Sequence, residues 1–258
     1  MKTRLTYLTV AALLAASVFS SCKKDDDSIS GSELQNNIVY VADSQGHEFE
    51  AVDMGFITKV CWGTCNMGAT SPENSGDFYA WGETQPKDNF TWNNYRWAQG
   101  GKLDLTKYYA SEKYGKMSGV DNKIVLGADD DCVKATRGGS WRMPSKDDFS
   151  YLISHSTVQY CKLNGVWGYK FTSTVKGFEN SSIFMPFSGM MDTKPGESTS
   201  TLKMGGRIAR YWLNSCKKSP SYEADVLELI NTDEVTNTVL NSQERYIGLP
   251  VRPVAVVK

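Results

Sequence analysis

"GGSWRMPSKDDF", Gly138 to Phe149, packs two glycines, a tryptophan, an arginine, a proline and an acidic turn into twelve residues. Ser145 followed three residues later by Asp148 is a capping-box pattern. Pro144 stands just before that cap, where a proline ends any helix upstream. Asp147 and Asp148 fall in the first turn, where the helix dipole favours negative charge. Phe149, Leu152 and Ile153 follow at i, i+3 and i+4 and share one apolar face. "PSKDDF" therefore predicts a helix start. Gly138 and Gly139 permit a tight backbone approach, and Trp141 and Met143 offer apolar bulk. No nucleophile lies beside a base. Arg142 can hold a ligand carboxylate or sit in a structural ion pair, the commoner case for a half-buried arginine. The stretch reads as a corner of the fold.

On either side of it the 258 residues have an ordinary globular composition, 40% hydrophobic and 22% charged, with seven Trp and thirteen Tyr. A formal net charge of -1 and the lack of any Lys/Arg block argue against a nucleic-acid partner. Residues 1–21 read as a secretory signal: Lys2 and Arg4, then an apolar run from Tyr7 to Phe19 too short to span a membrane, then Ser20 and Ser21. The junction "FSSC" resembles a bacterial lipoprotein signal, with Phe19 where leucine is usual. The resemblance implies lipid attachment at Cys22 and a membrane as partner through that anchor, held by more than one acyl chain. The mature chain would carry 26 basic and 29 acidic residues, a net charge of -3.

Residues 22–37, polar and without apolar period, predict a flexible tether that cannot bury enough surface to fold. Its reach is roughly 20 Å on average. Asp25, Asp26 and Asp27 resemble the acidic tag that exports lipoproteins to the outer face of the outer membrane in Bacteroidota. Residues 38–258 show no break in composition and predict one domain. "IVYVAD" and "HEFEAVDMG" read as paired strands across Ser44-Gln45-Gly46. "GYKFTS" and "SIFMPFSG" read as a hairpin around Gly177 and Asn180. "RYWLNS", "ADVLELI" and "YIGLPVRPVAVV" supply later strands. Pro250 and Pro253 lack amide donors, so the last strand is expected at an edge or with a bulge.

"CNMGATSPENSGDFYAWGET" (Cys65 to Thr84), "GGSWRMPSKDDF", "GYKFTS", "SIFMPFSG" and "VRPV" occur in this order. As a set they resemble the Fibrobacter succinogenes major paralogous domain family, from about Phe49 to Val254. The resemblance implies an α+β, C-type-lectin-like fold of irregular antiparallel sheets with few helices and long loops. That fold is shared with the formylglycine-generating enzymes, in which an R-x-P-[ST] turn also opens a helix and an arginine-bearing strand closes the domain. It assigns a structural part to Trp141, Arg142, Ser145 and Arg252. It also raises an oxidase alternative, because those enzymes hold copper on a C-terminal pair of thiolates. Here the C-terminal half offers only Cys161 and Cys216, 55 residues apart, so an oxidase is not the expected reading.

Cys61, Cys65, Cys132, Cys161 and Cys216 are five and cannot all pair within one chain. Cys61 and Cys65 on an extended strand would stand roughly 13 Å apart, beyond the 7 Å or so that a disulfide allows. With only His47 and His155 in the chain, and neither near a cysteine, a zinc site is not expected. "ADDDC" (Ala128 to Cys132) lacks the spaced oxygens of a calcium loop and suits a capped helix start. No cofactor and no metal are predicted. "FTWNNYRWAQGG" sets Trp92, Tyr95 and Trp97 beside amides, a pattern that suits sugar or peptide binding; the plainer alternative is a set of rings covering the core under a long loop. The expected function is a non-enzymatic, surface-anchored binding protein for a glycan, polymer or protein ligand. The alternatives are an oxidase or a structural subunit of a surface complex.

Overall fold

The computed structural model describes residues 27–34, 37–115, 119–194, 197–232 and 235–257, without the side chains of residues 232–237. Cys22, Asp25 and Asp26 lie outside the described residues. In chain order the elements are β1 (Ser28–Ile29), β2 (Ile38–Ala42), β3 (Glu48–Val52), β4 (Val60–Gly63), α1 (Cys132–Arg137), β5 (Trp141–Arg142) and α2 (Lys146–Ser154). There follow β6 (Ser156–Leu163), β7 (Val166–Ser173), β8 (Ser182–Pro186), β9 (Met190–Asp192), β10 (Thr201–Lys203), β11 (Ile208–Cys216), β12 (Glu223–Thr232), β13 (Val235–Glu244) and β14 (Val254–Val256). The strands form four sheets: β2-β3-β4-β14-β5, β1-β6-β7-β8, β11-β12-β13 and β9-β10. Apart from the parallel pair β1–β6, all named strand pairs are antiparallel. The fold is mostly antiparallel sheet with few helices, an α+β or mostly-β architecture.

The five-stranded sheet separates two cores, because successive side chains on a strand point to opposite faces. Val41, Ala51, Cys61, Trp141 and Ala255 face one cluster, with Trp81 and Trp212. Val52, Trp62 and Val254 face the other, against Phe149 and Leu152 of α2 and Tyr169, Phe171 and Met185 of β7 and β8. From Thr64 to Asp131 the described residues hold no α-helix and no named strand, only the 3-10 turns Trp92–Asn94 and Glu112–Tyr114. It is held by a third cluster of its own, Phe90, Tyr95, Leu105, Tyr109 and Tyr114.

Two expectations are corrected. β14 is interior, paired with both β4 and β5. Its prolines stay outside the ladder and use only their carbonyls: Pro253 O accepts from Gly63 N at 2.8 Å and Pro250 O from Trp212 N at 3.2 Å. No amide donor is needed at either position, so no edge placement is forced. The expected tether is also shorter than residues 22–37. Ser28 and Ile29 pair with Lys162 and Leu163, and Leu34 is buried with Cys161, Leu163 and Phe184. Two apolar side chains suffice to seat this segment because β6 and β8 leave an apolar slot for them.

The corner forms as its residues dictate. Ser145 caps α2: its hydroxyl accepts from Asp148 N at 3.2 Å, while Asp148 Oδ2 accepts from Ser145 N at 2.6 Å. Gly138 adopts φ 66°, and a Cβ there would lie 2.6 Å from Ser44 Oγ. Trp141 is fully buried and donates to Val41 O at 3.2 Å.

Candidate functional site

The aromatic loop residues divide. Tyr95 is buried, and its hydroxyl donates to Trp81 O at 2.7 Å. Trp97 donates to Gly82 O at 2.8 Å, and its ring lies under the cations of Arg96 and Lys107, each 4.6 Å from the ring centre. Trp92 is half-buried against Tyr95 and Tyr246. These rings pack on the third core, Tyr95 within it and Trp92 and Trp97 half-buried against it. The cause is burial: a loop this long needs its own apolar cluster to hold it.

Arg142 is spent inside the corner. Its guanidinium donates to Asp148 Oδ2 at 2.6 Å and Oδ1 at 3.0 Å, and to Met143 O at 3.0 Å. Burial pushes the Asp148 carboxyl up. The Arg142 guanidinium and the Ser145 amide and hydroxyl outweigh it, so the group sits below the usual carboxylate range. Arg252 is fully buried and donates to Asn66 Oδ1, Gly63 O, Thr64 O and Phe184 O at 2.6–3.0 Å. Both guanidinium groups donate to oxygens of the fold itself. Asp131 of the acidic triplet caps α1, accepting from Val133 N and Lys134 N at 2.9 Å each. Among the described residues no group of three or more His, Cys, Asp or Glu is placed to hold a metal.

The five described cysteines are free thiols. Cys161 and Cys216 belong to different cores, and burial pushes each thiol up to about 11. They are not brought together as a thiolate pair.

What the fold does open is a groove of about 370 Å³ beside the β2–β3 end of the five-stranded sheet. Strand alternation and the register Ile38↔Val52, Tyr40↔Glu50 place these four side chains on one face. Leu34, Val52, Leu163 and Phe184 supply apolar lining, and Tyr40, Glu50, Thr70, Glu73 and Asn164 supply polar groups. Tyr40 is 62% exposed, and its hydroxyl stands 3.5 Å from Glu50 Oε1. Asn164 donates to Glu73 Oε1 at 2.9 Å. Burial raises the Glu73 carboxyl, but this amide, its own backbone N–H and Ser71 hold it below the usual range, so it is ionised at neutral pH. Among the described residues no Lys, Arg or His lines this groove. A smaller adjoining hollow of about 210 Å³ shares Glu50, Thr64, Cys65 and Thr70 and adds Arg137. The arrangement offers an apolar slot with an anionic, hydroxyl-bearing mouth, a chemistry suited to holding a ligand.

None of these groove residues stands out in the sequence as a site. Tyr40 lies in a segment that reads simply as a strand, and Glu73 and Asn164 are 91 positions apart. The one local signal is the outward-facing tyrosine in an otherwise apolar strand. No family model matches the chain, and no curated protein or solved structure matches it either.

Proposed function

We propose that this protein is a lipid-anchored surface lipoprotein whose domain binds a ligand in the β2–β3 groove and performs no covalent chemistry. The observation that carries the binding role is the groove itself, about 370 Å³, with apolar lining and polar groups at its mouth. Anchoring at Cys22 and display on the outer membrane rest on the "FSSC" junction and the acidic residues Asp25, Asp26 and Asp27. The ordered motifs from Cys65 to Val254 support placing the domain in the Fibrobacter succinogenes major paralogous domain family with a C-type-lectin-like fold. Fold alone assigns no ligand. The oxidase alternative is disfavoured by the burial of Cys161 and Cys216 in separate cores.

Two measurements test the reading. Cys22→Ala should lose metabolic acyl label, and equal label in the variant would refute the anchor. The purified mature protein should capture ligands from glycan and peptide arrays. Thr70→Trp, which fills the groove mouth, should lose them at an unchanged Tm. Capture that survives Thr70→Trp would refute the groove as the site.

A further inference from the structure

We propose that the free edge of β2 takes up an extended basic peptide of a partner protein, adding a strand to the five-stranded sheet and lowering a lysine or arginine side chain into the groove. This rests on the binding reading above and names the partner's chemistry.

Among the described residues β2 pairs on one side only, with β3. Asp53 N donates to Asn37 O at 2.9 Å and Asp43 N to His47 O at 2.8 Å, which bracket the ladder. The odd-numbered residues of β2 therefore bond to β3, and the N–H and C=O groups of Ile38 and Tyr40 turn outward. An exposed edge is ordinarily guarded by charge, proline or a bulge. β2 reads Ile-Val-Tyr-Val-Ala, with neither charge nor proline, and pairs with β3 in unbroken register. At its far end Gly139 lies so near Ala42 O that a Cβ there would stand 3.1 Å from it, which confines strand addition to the stretch around Ile38 and Tyr40.

A residue docked opposite Ile38 or Tyr40 shares their face of the sheet and points into the groove. There the lining suits a long aliphatic stem ending in a cation. Leu34, Ile38 and Pro72 meet the stem, and Glu50, Glu73 and the Tyr40 ring meet the charge, with no basic residue in the described lining of the groove. A second copy of this chain fits poorly, because β2–β2 pairing would bring two acidic grooves together. A neutral glycan would leave both carboxylates without a counter-charge.

The test uses the mature lipoprotein in non-ionic detergent. The probe is a blocked heptapeptide of alternating threonine and valine with one central lysine, followed by fluorescence anisotropy. Saturable binding is expected. Glu50→Lys and Glu73→Lys should each weaken it about tenfold and favour the matching peptide with central glutamate, since charge complementarity sets partner choice. N-methylation of the peptide backbone at alternate residues should abolish binding in one parity and spare it in the other. That readout does not depend on any protein variant folding.

Equal affinity for the lysine and glutamate peptides, indifference to N-methylation, or Tyr40-dependent dimers in sedimentation would each overturn the proposal. If neutral oligosaccharides bind and the lysine peptide does not, the groove is a ligand site but the edge proposal is wrong. If neither binds, both readings fail.

Discussion

Arg142 and Arg252 meet the cost of burying a guanidinium in different ways. Arg142 stands at the rim against a carboxylate. Arg252 has no carboxylate within reach among the described residues and instead donates to four oxygens drawn from β4, the segment after it, and β8. It thereby ties the four-stranded sheet to the five-stranded one. Arg252→Met would leave those buried acceptors unmatched, at about 1–3 kcal/mol for each one left dry. The expected loss is more than about 3 kcal/mol, read as a large fall in Tm; a near-wild-type Tm would contradict it. Arg252→Lys should recover little, because an ammonium cannot reproduce the fork. For Asp148 the folded carboxyl lies below its unfolded value of about 3.9, so its contribution is fully present above that pH. It is lost as pH falls through the lowered folded value. Urea midpoints at pH 7 and pH 3 should differ less in Arg142→Ala than in the wild type. Equal acid sensitivity in the two would show that the pair contributes nothing.

At the scale of elements, local chemistry decides where helices begin and where hairpins turn. The Ser145 and Asp131 caps each do so through side-chain oxygens that satisfy free amides of the first turn. Gly138→Ala should cost about 1–3 kcal/mol by unfolding, since a side chain at positive φ is strained and would press on Ser44. A smaller loss would mean that the β2–β3 turn yields. The hairpin β6–β7 turns at Asn164-Gly165 with φ 48° and 84°, a pairing of residues that favours two-residue hairpins. That signal is present in the sequence, yet "STVQYCKL" before it is masked by the amphipathic helix it follows. β13 is harder to see: "VTNTVLNSQE" is polar, and it becomes a strand because β12 offers it a full ten-residue ladder. The corner "GGSWRMPSKDDF" was legible because every feature in it acts within about one helical turn.

At the scale of the whole molecule, the N-terminal segment belongs to the body from Asp27 onward, where Asp27 O accepts from Lys162 N at 2.7 Å. Leu34 is 5% exposed, so Leu34→Ala should destabilise by about 2–5 kcal/mol. Deletion of residues 1–37 should lower Tm relative to deletion of 1–26, and identical melting of the two would return the segment to a free tether. Residue chemistry alone determined the helix starts, the β2–β3 and β7–β8 pairs and the cap at Ser145, because caps, turns and alternation are short-range. Only the tertiary structure decided that β14 runs between β4 and β5, that the aromatic loop turns its rings inward, and that Tyr40, Glu73 and Asn164 meet around one groove. Those outcomes depend on which apolar surfaces remain after the sheets have paired. That choice is made across the chain by non-local burial, and no window of sequence contains it.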